Sequence, residues 1–343
     1  MAVAEQSITD FYIYPPIGDD DWRYLRETAL VRMYEMQMLT RATLLDMANA
    51  ESCEAAAGFL TTTEYALPQA GRDFAEVENI LRIRRQAIRQ LFADLMFDKA
   101  VVELFRTRDD FANIRLAIRR TLTEKPLGVD YSNDGNFPPE RFEQVFEQEN
   151  YNLLPDYLQA AIDQAVLAYY QNKDIRQIDY AVDKVQAEYN LKRARQLRSI
   201  FLLGLVRIQI DLTNIRTMLR LKFTESEQRN VFLSGGYIDL ERLQHGLEVG
   251  YESLGPLFFV TPYCEVVESG ANYLASNKSF LGLEQRCDEH LIGFLKTTMQ
   301  IVTGPQPIIA YFLMKENEIR TVRLILTAKK NYLDTQLILD RLS

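Results

Sequence analysis

Apolar positions recur at intervals of three and four over most of this chain, the period of helices that turn one face to a core. Between Phe74 and about Leu122 there is neither proline nor glycine, and the period runs nearly unbroken. Asp174–Phe223 is a second long span, interrupted only by Gly204. Shorter elements fill the rest. Asp19-Asp20-Asp21 offers a cap and acidic first-turn residues to a helix near Trp22, whose Leu25, Ala29, Met33, Met36 and Leu39 are spaced as a core-facing stripe. Thr40 caps a short helix over 42–48, and Ser52 precedes another over 55–60. Pro138-Pro139 opens a helix as proline does in a first turn; Leu153–Ala168 and Leu240–Tyr251 are helical, as is most of Glu265–Ser343 up to and beyond a break at Gly304–Pro307. Met1–Gly18 is expected as an extended arm, Pro68–Gly71 as a break and Lys125–Phe137 as a loop; Gly255–Pro262 fits no element.

One stretch comes back. Asp110-Phe111-Ala112-Asn113-Ile114-Arg115-Leu116-Ala117-Ile118-Arg119 returns without a gap, 101 residues later, as Asp211-Leu212-Thr213-Asn214-Ile215-Arg216-Thr217-Met218-Leu219-Arg220. Over 110–142 against 211–243 ten of thirty-three positions are identical, where average residue usage gives roughly two. The apolar stripe Phe111, Ile114, Ile118 and Leu122 is reproduced as Leu212, Ile215, Leu219 and Phe223, with the arginines four apart on one side of it and Asp/Asn on the other. A third, degenerate copy around Glu318-Ile319-Arg320 has Lys315 in place of the aspartate and Glu318 in place of the asparagine. The expected fold is therefore all-α, in three similar units of roughly a hundred residues. The division is 1–130 with the N-terminal arm, 131–230 and 231–343.

Composition narrows the function. The formal charge of −9 and a pI near 5.1 argue against a nucleic-acid surface. Cys53, Cys264 and Cys287, behind an N-terminus unlike a secretory leader, suggest unpaired thiols in a reducing compartment. Apolar runs such as Ile200–Val206 are far short of the ~20 residues that span a bilayer. His245 and His290, the two histidines, have no acid–cysteine cluster around them, so no metal site is expected. No phosphate-binding loop, dinucleotide fingerprint or nucleophile elbow occurs, and no cofactor is implied.

Two motifs admit sharper readings. Asp109-Asp110-Phe111-Ala112-Asn113 is similar to the aspartate-rich box with which all-helical isoprenoid synthases hold magnesium and diphosphate. Its copy begins Ile210-Asp211, so the paired acid is lost; the plainer reading makes Asp110, Asn113, Asp211 and Asn214 structural ties to neighbouring helices. Arg115, Arg216 and Arg320 are either solvated helix flanks or, in a pseudo-threefold array, contacts aimed at a common partner.

The C-terminal stretch Gln306-Pro307-Ile308-Ile309-Ala310-Tyr311-Phe312-Leu313-Met314-Lys315-Glu316-Asn317-Glu318-Ile319-Arg320 resembles the signature end of the C subunit of prokaryotic V/A-type ATPases, which is the d subunit of eukaryotic V-ATPases. Asp211–Arg216 followed by Gly235-Gly236 resembles the same family, as does Leu39-Thr40-Arg41 leading to Thr63-Glu64-Tyr65. Asp134-Gly135, where the family more often has two glycines, departs from it, and the first thirty residues match little. The resemblance implies a funnel of three helical units without catalytic residues. Such a protein caps the membrane proteolipid ring on its cytoplasmic face, is held there peripherally without inserting, and receives the foot of the central shaft. The alternatives left open are a magnesium/diphosphate enzyme and an unrelated helical-repeat scaffold.

Overall fold

A computed structural model describes residues 14–65, 74–123, 131–226 and 228–342. The expected break at 68–71, most of the arm and residues 125–130 of the expected loop lie outside them. The described residues fold into α-helices and short 3-10 turns with no β-strand among them. The α-helices are α1 (Leu25–Glu35), α2 (Arg41–Asn49), α3 (Cys53–Gly58), α4 (Phe74–Leu95), α5 (Lys99–Thr123), α6 (Pro139–Glu147), α7 (Asp156–Asn172) and α8 (Arg176–Gln196). Then come α9 (Ile200–Phe223), α10 (Leu240–Glu248), α11 (Leu254–Phe258), α12 (Cys264–Asn277), α13 (Leu281–Lys296), α14 (Pro305–Lys330) and α15 (Thr335–Leu342).

The chain divides into two compact units. Among the described residues, one is 98–248, holding α5–α10; the other joins those before Asp98 to those from Val249 onward. In the first, Phe111, Ile114 and Ile118 of α5 are sealed under Phe137, Phe142, Leu158, Ile162, Ile178 and Val182, with Leu122 at the margin. Fully burying such a side chain stabilises by about 1.5–3 kcal/mol. α9 is enclosed more completely: Phe201, Leu202, Leu205, Ile208, Leu212, Ile215, Met218 and Leu219 are all buried, while Phe223 at its end is 39% exposed. In the second unit α14 is the axis, packed against α1, α3, α4 and α13. Its Phe312 ring stacks on Phe92 at 4.4 Å.

Three sequence expectations change. The long span from Phe74 is two helices, broken at Met96–Asp98, where the Phe97 N–H is taken by the Tyr24 hydroxyl. The span from Asp174 is also two, and it breaks not at Gly204, which is buried inside α9, but at Leu197–Ser199, where Arg198 adopts a left-handed φ of 53° and the Ser199 hydroxyl caps α9. The stripe Leu25, Ala29, Met33 and Met36 does not face the core. Leu25, Met33 and Met36 are 54%, 62% and 88% exposed, and α1 turns Thr28 and Val31 inward instead. Thr28 has a reason to be there: its hydroxyl bonds both the carbonyl and the N–H of Gly304 at the head of α14. Satisfying a buried backbone pair outweighs the periodicity of the exposed methionines. The segment 255–262 forms the end of α11 and a tight turn in which the Thr261 hydroxyl bonds the Phe258 carbonyl and accepts from Tyr263 N.

Candidate functional site

The repeated motif is a backbone clamp, built twice in one unit. In the first copy Asn113 is fully paired with Ser132: its Nδ2 donates to the Ser132 carbonyl at 2.8 Å and its Oδ1 accepts the Ser132 N–H at 2.7 Å. Asn214 does the same to Leu233, with both bonds at 2.8 Å. Asp110 accepts from Phe137 N at 2.9 Å, and Asp211 from Ile238 N at 3.1 Å. The second oxygen of Asp110 takes the Asn136 amide and the Tyr157 hydroxyl, while that of Asp211 takes Tyr237 N. All four side chains are buried. The backbone groups held at Ser132 and Phe137 in one copy lie 101 residues from their counterparts at Leu233 and Ile238 in the other.

The clamp also explains a glycine. A Cβ on Gly135 would collide with the Asp110 carboxylate, and one on Gly236 with that of Asp211. Each carboxylate is fixed by the N–H it holds, so neither can step aside. Asp134 accordingly replaces only the first of the two family glycines.

These bonds bear on the magnesium reading. Asp110 has both oxygens committed to loop and tyrosine donors, and Asp109 accepts from the Ser132 hydroxyl. Among the described residues no group of three His, Cys, Asp or Glu stands together as ligands for a metal ion. Burial, with the Asp110 carboxylate beside it, holds the Tyr157 hydroxyl far above its ordinary pKa, so it stays a donor. His245 is on the surface; His290 is wedged between the rings of Tyr14 and Tyr263, and burial pushes its pKa down to about 4. Cys264 and Cys287 are buried and Cys53 partly so, all as free thiols.

The third copy holds its loop by different chemistry. Glu318 accepts the Leu39 N–H at 2.7 Å and the Tyr65 hydroxyl at 2.6 Å, and it is bound to Lys315, which also pairs with Glu64. Leu39 precedes α2, a nine-residue helix, as the other two clamped loops precede the nine-residue α6 and α10. The helix that completes this copy thus comes from the opposite end of the chain. Sequence comparison at a fixed forward offset could not find it. The signal in the sequence is Lys315 and Glu318, three apart and so on one face of α14, where both are buried.

The arginines of the repeat are placed as follows. Arg115 binds Asp183 and lies 3.5 Å from Asp179, which also binds Arg119. Arg216 and Arg220 of α9 line the same cavity, of about 430 Å³, together with Arg176, Tyr180, Thr213 and Thr217. Arg320 belongs to the other unit, where it bonds Asp288 of α13 at 2.8 Å and Asn317 at 2.5 Å; Arg341 of α15 shares Asp288. No helix of the described residues is long and apolar enough to cross a membrane.

A clamped helical repeat, with its carboxylates and amides spent on holding its own loops, is an architectural element. The chain belongs to the ATP synthase (C/AC39) subunit family, which matches residues 28–341. It is similar to the C subunit of the V-type sodium ATPase of Enterococcus hirae, 24% identical over 320 residues that cover 91% of this chain and 96% of the relative. It is also similar to the C subunit of the V-type ATP synthase of Thermus thermophilus, 26% identical over 326 residues, 91% and 95% of the two chains. The chain is thus a structural, non-catalytic subunit of a V-type ATP synthase assembly, and other subunits of that assembly are its partners.

Proposed function

We propose that this chain is the adaptor of the central rotor, joining the central-shaft subunits to the membrane proteolipid ring. Family membership over residues 28–341 is the observation that carries this reading. Three clamped units, divided near 130 and 230 and arranged in pseudo-threefold fashion as a funnel, would give such an adaptor a central opening for the shaft. The repetition of the clamp at 110, 211 and 315 supports that arrangement. In this reading Arg115, Arg216 and Arg320 contact the shaft. The protein sits peripherally on the cytoplasmic face, held by the ring, and transmits torque with no bound cofactor. Choice between proton and sodium lies with the ring.

Affinity-tagged chain, expressed in cells that make the whole complex, should sediment with membranes and co-purify with shaft and ring subunits. Recovery free of both in such cells would refute the adaptor role.

A further inference from the structure

We propose that the groove between α7 and α8 is a docking site for an extended, tyrosine-bearing segment of a partner protein. The groove opens as a cavity of about 970 Å³ between these two helices and residues 228–231. That is near the upper end of the roughly 300–1,000 Å³ typical of binding sites. The kind of occupant is shown within the chain, because the same helix pair occurs again in the other unit as α12 and α13. Lys173 and Lys278 fix the register: each follows the first helix of its pair with a left-handed φ of 53°, and they lie 105 residues apart. At that offset their N–H groups close on matching carbonyls, those of Tyr169 and Leu274. Asp183 falls on Asp288, and each holds an arginine from another helix.

In the second unit this groove is occupied. Tyr14, in the extended chain before α1, lies on it, with its ring 5.1 Å from that of His290 and 5.9 Å from that of Phe294. Its hydroxyl donates to the His290 carbonyl at 3.0 Å, and Gly293 leaves it room, since a Cβ there would collide with it. The counterparts of His290 and Gly293 in the first unit are Val185 and Glu188, and both line the open cavity. Glu188 brings a side chain to the spot that the hydroxyl takes in the second unit. One turn nearer the start of α8 the exchange runs the other way: Arg286 and Tyr273 of the second unit are Ala181 and Ala168 in the first. Two large side chains give way to methyl groups, so the space for a ring reappears one turn along.

The rest of the lining selects the occupant's backbone. Gln164, Gln171 and Asn230 are exposed and Gln177 is partly buried, and each side-chain amide both donates and accepts. An extended segment offers free N–H and C=O groups to such a lining, whereas a helix has already bonded its own. Charge contributes little: Lys184 and Arg229 are set against Glu188. The segment is therefore extended, near-neutral and anchored by one tyrosine, whose ring supplies most of the apolar contact. The site stands apart from the adaptor reading and requires neither the shaft nor the ring.

The test uses the full chain and a labelled peptide that carries the Tyr14–Gly18 sequence between serines, with a counterpart in which alanine replaces the tyrosine. The tyrosine peptide should bind, and its affinity should hold as salt rises, since no ion pair is formed. The alanine peptide should bind roughly tenfold more weakly. Ala168→Trp fills the cavity and should weaken binding roughly tenfold, whereas Leu167→Trp, an exposed neighbour on α7 outside the lining, should match wild type. If circular dichroism shows that Ala168→Trp disturbs folding, Ala160→Arg, at an exposed lining position, replaces it with a loss in the same direction. No binding at millimolar peptide, equal affinity for the two peptides, or equal affinity of Ala168→Trp and Leu167→Trp would overturn the site. In the assembled complex, a benzophenone attached at Gln171→Cys should cross-link to another subunit, and Ala168→Trp in the same chain should abolish the product. Cross-links confined to this chain, or none at all, remove the partner and with it the proposal.

Discussion

The clamp around Asn113 and Asn214 and the knot around Glu318 perform one task with opposite chemistry. In the first two copies a neutral amide satisfies both polar groups of a single loop residue, and that residue lies nineteen positions on. In the third a buried carboxylate accepts one backbone N–H and one tyrosine hydroxyl, and must be balanced by Lys315. The loop it holds lies 279 residues earlier in the chain. A neutral clamp loses only a hydrogen-bond pair when cut. A charged one leaves an ion behind.

The largest effect should follow from that difference. Lys315 and Glu318 are 5% and 4% exposed as side chains, at a separation of 2.5 Å. Lys315→Met strands the Glu318 carboxylate in the interior and should lower stability by about 3–5 kcal/mol. Lys315→Met with Glu318→Gln should recover a large part of this loss, because Gln still accepts the Leu39 N–H and carries no charge. Chemical denaturation of both variants checks the claim; a single variant no weaker than the double would put the neutral and charged clamps on the same footing.

Next in size is the neutral clamp itself. Asn214→Ala leaves the Leu233 N–H and carbonyl buried without partners, and should cost about 2–3 kcal/mol. Asn113→Ala should cost less, since its bonds to Ser132 are only part-buried and water can replace them. Hydrogen exchange at the Leu233 and Ser132 amides reads the two loops separately. Faster exchange at Ser132 than at Leu233, each in its own variant, is the expected order in absolute rate, with the larger change from wild type at Leu233.

The neutral copies were legible in the sequence because an amide clamp admits little variation. Asp, Asn and the glycine beside the carboxylate must keep fixed spacing, so the 101-residue register survives where the surrounding helix faces have drifted. The third copy was only half legible. Lys315 and Glu318 could be aligned, but their partners Leu39, Glu64 and Tyr65 precede them, and forward register search passes over an element completed from the N-terminal side. The same limit hid a second local echo. Thr63 bonds the Leu60 carbonyl and accepts from Tyr65 N, the turn that Thr261 makes with Phe258 and Tyr263. Periodicity misplaced α1 for another reason: Met33 and Met36 have helical spacing, but hydropathy does not register the backbone pair at Gly304 that Thr28 must satisfy. The arginines could be read as aligned positions; that Arg115 and Arg216 share a cavity required the packing of α5, α8 and α9.

The smallest effect separates the two units by pH. His290 faces the Tyr14 and Tyr263 rings, and its Nε2 is buried without a partner. Its pKa is about 4 in the folded chain against an ordinary 6.5, so the unfolded chain binds the proton more readily. Stability from this group is complete above about pH 6.5 and is lost as pH falls toward 4. By about pH 5.5 the loss should be roughly 1 kcal/mol. Charged groups near this cluster include Glu265, which acts on the Tyr14 hydroxyl, so the comparison is made against His290→Gln, which keeps a polar side chain of similar size and cannot titrate. The difference in stability between the two proteins should shrink or reverse on going from about pH 7 to about 5.5. The amides of α13 and α14 should show that change in hydrogen exchange, and those of α5 and α9, whose clamp amides do not titrate, should not. An equal acid response in all four helices would mean that the acid sensitivity is not seated at His290.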